Sequence, residues 1–369
     1  MPLQPPALYV AASSHGFGHA TRLASVLAQI RALAPELRLV VASAAPRWLI
    51  ESYLPGPVEL RSLALDPGVV QPDSLRIDRA ATGLALEAWW RELPALAARE
   101  AAAARAAGAG LVLADIPASA VEIARLAGLP CWMLGNFDWD FIYRAWGGAF
   151  VDHADRIAAL QAGAERLYRP PLHTPMPAFG RVVDIGLTGG DPRWSAAEAR
   201  TRWGLRAPRE RTALITFGGL GAAALPYARA ADFPDWQFVT WDRDAPRLPN
   251  LVRVDDPRWR PVDLMPVAGR LIGKPGYSTF AEALRQDLPI VTLPRPGFAE
   301  AEILVEGLRD HGWHQLVEPA ALMGGDWSFL QAEPVPPRLP PAAARLDREG
   351  SRQVAQAVVA RLRQPDPDG

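Results

Sequence analysis

The chain has one cysteine, Cys131, and one lysine, Lys274, among its 369 residues. A single thiol excludes an internal disulfide framework and fits a reducing compartment. Cys131 lies in the apolar run PCWML at 130–134, where it reads as a small buried hydrophobe rather than a nucleophile. No apolar run approaches the roughly 20 residues that span a bilayer. The amino terminus lacks the basic-then-apolar pattern of a secretion signal. The expectation is a cytoplasmic protein with no transmembrane segment. Neither sign of charge is in excess: 39 basic and 40 acidic residues leave a net −1, with no basic block. Nucleic acid is therefore not an expected partner. Neither G-x-x-x-x-G-K-[ST] nor G-x-S-x-G occurs, and His153, His173, His311 and His314 lack metal-ligand spacing. No metal and no bound cofactor are expected.

What is present describes an ordinary globular chain, 49% apolar and 21% charged. Its length exceeds what one core usually supports, so two domains are expected. Short continuous apolar runs at 7–12, 37–42, 111–114 and 131–134 alternate with helical patterns, such as Leu23, Val26, Leu27 and Ile30 at helical spacing. Runs of that kind predict parallel strands covered on both faces. The Pro/Gly-rich stretches within 169–192 break the pattern, and a second set begins at 212–217, continuing through 236–241, 251–254, 270–272 and 289–293. The expected fold is α/β, with two Rossmann-like, doubly wound parallel-sheet domains facing a cleft. The expected boundaries are 1–168 for the first domain, 169–210 for a linker region, 211–345 for the second domain, and 346–369 for a last helix and tail.

The run LIGKPGYSTFAEAL, from Leu271 to Leu284, reads as a strand, a Gly/Pro loop and a helix start. Such a turn aims backbone N–H groups and a helix dipole at one point, where a phosphate is stabilised. Lys274 falls inside the loop, and Glu282 is placed to accept hydrogen bonds from a ribose diol. Thr279 and Glu282 also match an S/T-x-x-E capping box, so both readings of Glu282 stand. TFGGLGA at 216–222, with Gly218 and Gly219, is a second Gly-rich turn after a strand. In HGFGHATR, from His15 to Arg22, Gly16 and Gly18 permit a tight turn and His19 sits at a helix start, suited to take up a proton. The loop lacks the third glycine of a dinucleotide fingerprint. Asp115 ends an apolar strand, where it either orients His19 or caps the next helix. Asp138 and Asp140 form a D-x-D pair around Trp139 with no ligand cluster beside it. Trp89, Trp90, Trp139 and Trp146 are stacking surfaces for an acceptor or core residues.

These motifs resemble glycosyltransferases of the GT-B fold, such as the family forming peptidoglycan lipid II. They are more similar to the amino-terminal, glycosyltransferase-like half of plant L-arabinokinases and its stand-alone bacterial relatives. Matching segments include His15 to Arg22, the stretch 66–78 with Gln71 and Asp73, Asn136 to Tyr143, Met176 to Phe179, Phe217 to Gly219, 273–284 and Arg295 to Glu300. The kinase half of the plant proteins has no counterpart here. The resemblance implies an inverting, metal-independent transferase that moves a sugar from an NDP-sugar co-substrate, UDP-sugar favoured, to an acceptor hydroxyl. It implies His19 as the base, with His15 as a second histidine in the same motif, and Asp115 as the orienting carboxylate. Gly276, Ser278 and Thr279 then match the diphosphate turn, Glu282 the ribose carboxylate, and Glu300 a donor-sugar contact. Gly18, Gly218, Gly219, Lys274, Tyr277 and Phe298 group with the donor site. Gln71, Asp73, Asn136, Asp138 and Trp139 fall on the acceptor side. The D/E-Q pair of many members is replaced by Glu300 and Glu302 with alanines between and before. The alternatives are a nucleotide-sugar epimerase or hydrolase of the same fold, or a non-catalytic sugar-nucleotide-binding regulator.

Overall fold

The computed structural model describes residues 6–13, 15–218 and 225–364. The first half runs β1 (Ala7–Ala12), α1 (Gly18–Leu33), β2 (Arg38–Ser43), α2 (Arg47–Tyr53), β3 (Glu59–Ser62), α3 (Arg79–Ala106), β4 (Ala109–Asp115), α4 (Ser119–Ala127), β5 (Cys131–Leu134), α5 (Trp139–Trp146), α6 (Phe150–Gln161), β6 (Arg166–Arg169) and β7 (Val182–Asp184). The second runs α7 (Ala196–Trp203), β8 (Thr212–Ile215), β9 (Gln237–Thr240), β10 (Leu251–Arg253), α8 (Pro261–Leu264), β11 (Arg270–Ile272), α9 (Tyr277–Leu284), β12 (Ile290–Thr292), α10 (Ala299–His311), β13 (His314–Leu316), α11 (Pro319–Gly324), α12 (Pro341–Ala344) and α13 (Gly350–Arg363). No helix among the described residues is long and apolar enough to cross a membrane.

The chain forms two compact units. The first comprises the described residues up to Val70, then Ile77–Gly189, then those from Asp347 onward; the second comprises Gln71–Arg76 and Gly190–Leu346. The stretch expected as a linker, 169–210, carries β7 and α7, and the chain passes between units at Gly189 and Gly190. The last helix is part of the first unit: α13 packs on α1, with Ser25 Oγ 3.1 Å from Ser351 Oγ. Residues 71–76 are an excursion into the second unit, closed behind by the Asp78 N–H donating to the Val70 carbonyl at 2.9 Å.

Each unit is built on one wholly parallel sheet. The first has strand order β3-β2-β1-β4-β5-β6-β7 and the second β10-β9-β8-β11-β12-β13. Every residue of β1 is buried, as a parallel strand with helices on both faces requires. Beneath the first sheet, Ala97, Ala101 and Ala104 of α3 lie in the core with Tyr9, Val40 and Val112, their small side chains letting the helix approach closely. Asp78 caps α3 by accepting from the Ala81 N–H at 2.8 Å, so the helix begins well before the Ala-rich stretch and continues through Pro94. The second unit centres on Phe238, Trp236, Ile272, Val291 and Trp327. In both sheets the chain works outward in opposite directions from one pair of central strands, β1/β4 and β8/β11. Ligands of such sheets sit at the carboxyl ends of the strands at these switch points.

Candidate active site

In the first unit, Ala12 at the end of β1 pairs with Asp115 at the end of β4. The loop leaving β1 therefore starts beside Asp115, and His19, the second residue of α1, meets it. His19 Nδ1 lies 2.8 Å from Asp115 Oδ1. Arg22, one turn further along α1, grips the same carboxylate with Nε on Oδ2 and Nη2 on Oδ1, both at 2.5 Å. Its Nη1 donates to Asn136 Oδ1 at 2.7 Å. Asp115 is 0% exposed and Arg22 2%. Burial pushes the Asp115 carboxyl up, but the charge and hydrogen bonds of Arg22, and then of His19, outweigh it and hold the group below the ordinary carboxylate range. An ionised carboxylate facing Nδ1 assigns the proton to that nitrogen, leaving Nε2 as the acceptor. The arrangement can take a proton at Nε2 and stabilise the resulting imidazolium. Sequence reasoning missed Arg22 as a site residue. Its signal was the three-residue spacing from His19, which places both on one face of a helix.

His15 is turned differently. Its Nδ1 accepts from the Val69 N–H at 3.3 Å, and its ring meets Trp139 edge-on with centroids 5.1 Å apart. Its ring proton therefore belongs on Nε2, the opposite tautomer to His19. The side chains of Asn136, Asp138 and Trp139 all point into the fold. Trp139 is 1% exposed and donates to Asp66 Oδ2 at 3.0 Å; Asp66 Oδ1 accepts from Ser13. Asp138 caps α5 through the Phe141 N–H. Burial, and then the neighbouring Asp140, push its carboxyl well above the usual range. Trp89 and Trp90 are also engaged, the first with the Leu65 carbonyl and the second with His153 Nδ1.

In the second unit the same logic applies at β8, β11 and β12. Gly218 follows β8 with φ of +75°, and Lys274 Cε is the nearest atom to where its Cβ would stand, at 3.8 Å. Gly219 lies outside the described residues. A Cβ at Gly273 would run into the Thr216 carbonyl, so only glycine lets β8 and β11 end this close together. α9 begins at Tyr277 with Gly276 as its N-cap and no side-chain cap hydrogen bond, so the positive end of its dipole lies at the Lys274 loop. Thr279 is thus inside the helix, and the capping box with Glu282 does not form. Glu282 is buried and accepts from the Gly190 N–H at 3.0 Å, tying α9 to the segment that enters the unit.

Lys274 is half-buried. Burial first, and then the charge of Arg295, bring its ammonium down to about 7, with Glu300 and Asp73 opposing the shift. Arg295, brought down to about 10 chiefly by burial, lies with its guanidinium 4.2 Å from the centroid of the buried Phe298 ring. Glu300 is in the first turn of α10. Gln71 and Asp73, expected on the acceptor side, belong to the second unit, and the Asp73 charge acts on both Lys274 and Arg295. Asp73 itself accepts from the Leu75 and Arg76 N–H groups at 2.9 Å, and Ser74 donates to the Phe217 carbonyl at 2.6 Å, anchoring the excursion beside the end of β8.

Two all-parallel α/β units of this kind form the GT-B fold, and solved glycosyltransferases share it with this chain. The chain is similar to the glycosyltransferase of kitacinnamycin, with a TM-score of 0.62 and 16% identity, covering 97% of this chain and 99% of that one. It is similar also to a UDP-glucosyltransferase from Polygonum tinctorium that glucosylates indoxyl, with a TM-score of 0.60 and 18% identity, covering 98% and 99%. Identities this low establish the fold alone. In sequence, the chain is 30% identical over 308 residues to L-arabinokinase of Arabidopsis thaliana. That match takes in 79% of this chain and 28% of the plant protein, so the chain spans under a third of the length of its relative. No family model matches the chain.

Proposed function

We propose that the chain is an inverting glycosyltransferase, moving a sugar from a nucleoside-diphosphate sugar, UDP-linked by preference, to an acceptor hydroxyl. The observation that carries the reading is the contact of His19 Nδ1 with the buried, ionised Asp115 at the switch point of the first sheet. In this mechanism the acceptor O–H gives its proton to His19 Nε2. The acceptor oxygen bonds to the anomeric carbon while that carbon's bond to the diphosphate breaks on the opposite face, which inverts the centre. Asp115 stabilises the imidazolium, and Arg22 keeps the carboxylate from taking the proton itself. The second unit holds the leaving nucleotide: the positive end of the α9 dipole and the Lys274 ammonium meet the charge that grows on the departing diphosphate. Helix dipole and cation supply what a metal would otherwise supply, so chelators should leave the rate unchanged. Support for the donor class comes from the UDP-glucosyltransferase sharing the fold and from the GT-B-like motif order.

The test is a product assay over UDP-, GDP-, ADP- and dTDP-sugars with a panel of hydroxylated acceptors, in the presence of chelator, with product configuration read by NMR. The expected product has inverted configuration. The His19→Ala variant should lose roughly 100-fold or more in kcat, the range of a general base, while still binding nucleotide. Retained configuration, or equal loss of turnover and nucleotide binding, would contradict the reading.

A further inference from the structure

Arg295 presents a charged edge that no described residue uses. It follows β12 by three residues and is 4% exposed, and its Nε and Nη2 are buried without a hydrogen-bond partner among the described residues. These two N–H groups form one side of the planar guanidinium, spaced to match the two oxygens of a carboxylate or phosphate. The protein fills this same edge elsewhere. Arg22 uses Nε and Nη2 on Asp115, Arg61 uses them on Glu100, and Arg258 uses them on Asp256. A buried charged donor left unmatched is costly, so an empty edge of this kind marks a place where a ligand completes the structure. The Phe298 ring holds the guanidinium plane at 4.2 Å, and the Arg295 charge already acts on Lys274, beside the start of α9.

We propose that the Nε–Nη2 edge of Arg295 binds an oxyanion carried by the sugar nucleotide, gripped side-on through two parallel N–H bonds. The proposal rests on the reading that the second unit holds the donor. The shared chemistry has two sources: the diphosphate oxygens, or the carboxylate of a uronic acid as the transferred sugar.

Calorimetric titration of UDP, UDP-glucose, UDP-glucuronate and inorganic pyrophosphate into the wild type and Arg295→Lys separates these. Lysine keeps the charge and loses the fork. The expected result is a loss of roughly tenfold or more for at least one oxyanion ligand, the worth of one charge-assisted hydrogen bond. Losses for UDP and pyrophosphate assign the edge to the diphosphate. A loss confined to UDP-glucuronate assigns it to a sugar carboxylate. Unchanged affinity for all four overturns the proposal. Wild type that binds pyrophosphate through Arg295 but no nucleotide, with GDP, ADP and dTDP also tried, sinks the nucleotide reading and leaves the edge standing. Wild type that binds none of these ligands sinks both. If Arg295→Lys does not fold, Phe298→Leu, which leaves the cation and frees its plane, carries the same test. A smaller loss for the same ligand is then expected, and unchanged affinity overturns the edge.

Discussion

Asp115 stands between a histidine and an arginine and is fully buried, so its removal reports on stability as well as chemistry. In Asp115→Asn, Arg22 is left buried without a counter-ion, a loss of about 3–5 kcal/mol for breaking a buried pair from one side. The folded-state pKa of Asp115 is depressed. Its contribution is therefore complete above the unfolded value, near 3.9, and disappears as pH falls through the lower folded value. Urea titrations of wild type and Asp115→Asn should differ by that amount at pH 7, and the gap should begin to narrow as pH falls below about 4, by at most about 1.4 kcal/mol per pH unit; a gap independent of pH would show that packing, not charge, is lost. The His19–Asp115 pair was legible in the sequence because Asp115 ends one apolar run and His19 opens the helix after another, and such strand ends converge in parallel sheets. The Arg295 edge was not, because an arginine without a partner looks the same in sequence as one with a partner. Asn136, Asp138 and Trp139 misled for the opposite reason: a polar and aromatic run reads as a binding loop, yet tertiary packing turned all three inward.

At the scale of elements, strands that run apolar and uninterrupted were legible almost to the residue: β1, β5 and β11 match their expected bounds. β3, β6, β7 and β13 were missed. They are three or four residues long, and β3 and β7, at one edge of the sheet or the other, expose part of their surface and so lack an apolar signature. β6 hides its two apolar residues between arginines. The break expected near 169–210 reflected real proline and glycine, and within it only β7, at a sheet edge, and α7 are sizeable regular elements. Gly273 carries an element-level prediction. Because a methyl group there meets the Thr216 carbonyl, Gly273→Ala should force β8 and β11 apart. A loss of about 1–3 kcal/mol in denaturant unfolding is expected, the cost of overpacking. No loss would mean the strand ends adjust freely, and the close approach at the Lys274 loop would not be a constraint.

For the whole molecule, the account divides the chemistry between two units. In the proposed reaction the first supplies an oriented base, and the second an anion site of helix start, Lys274 and Arg295. The 71–76 excursion crosses that division in sequence: coded within the first half, it places Asp73 among the cations of the second. Neither composition nor periodicity marks a segment that leaves one core for another and returns, which explains why Gln71 and Asp73 were read on the acceptor side. The central claim is that nucleotide binding belongs to the second unit alone. Because Lys274 sits at about 7 when free, a bound dianion raises it and draws in a proton. Affinity should then weaken as pH rises above that value, by at most about tenfold per unit. The direct measurement is UDP affinity for wild type, His19→Ala and Lys274→Met at pH 6.5 and 8.5. The account predicts that His19→Ala matches wild type at both pH values, and that Lys274→Met binds roughly tenfold or more weakly at pH 6.5 with the pH dependence gone. Weakened binding in His19→Ala beside unchanged binding in Lys274→Met would contradict it.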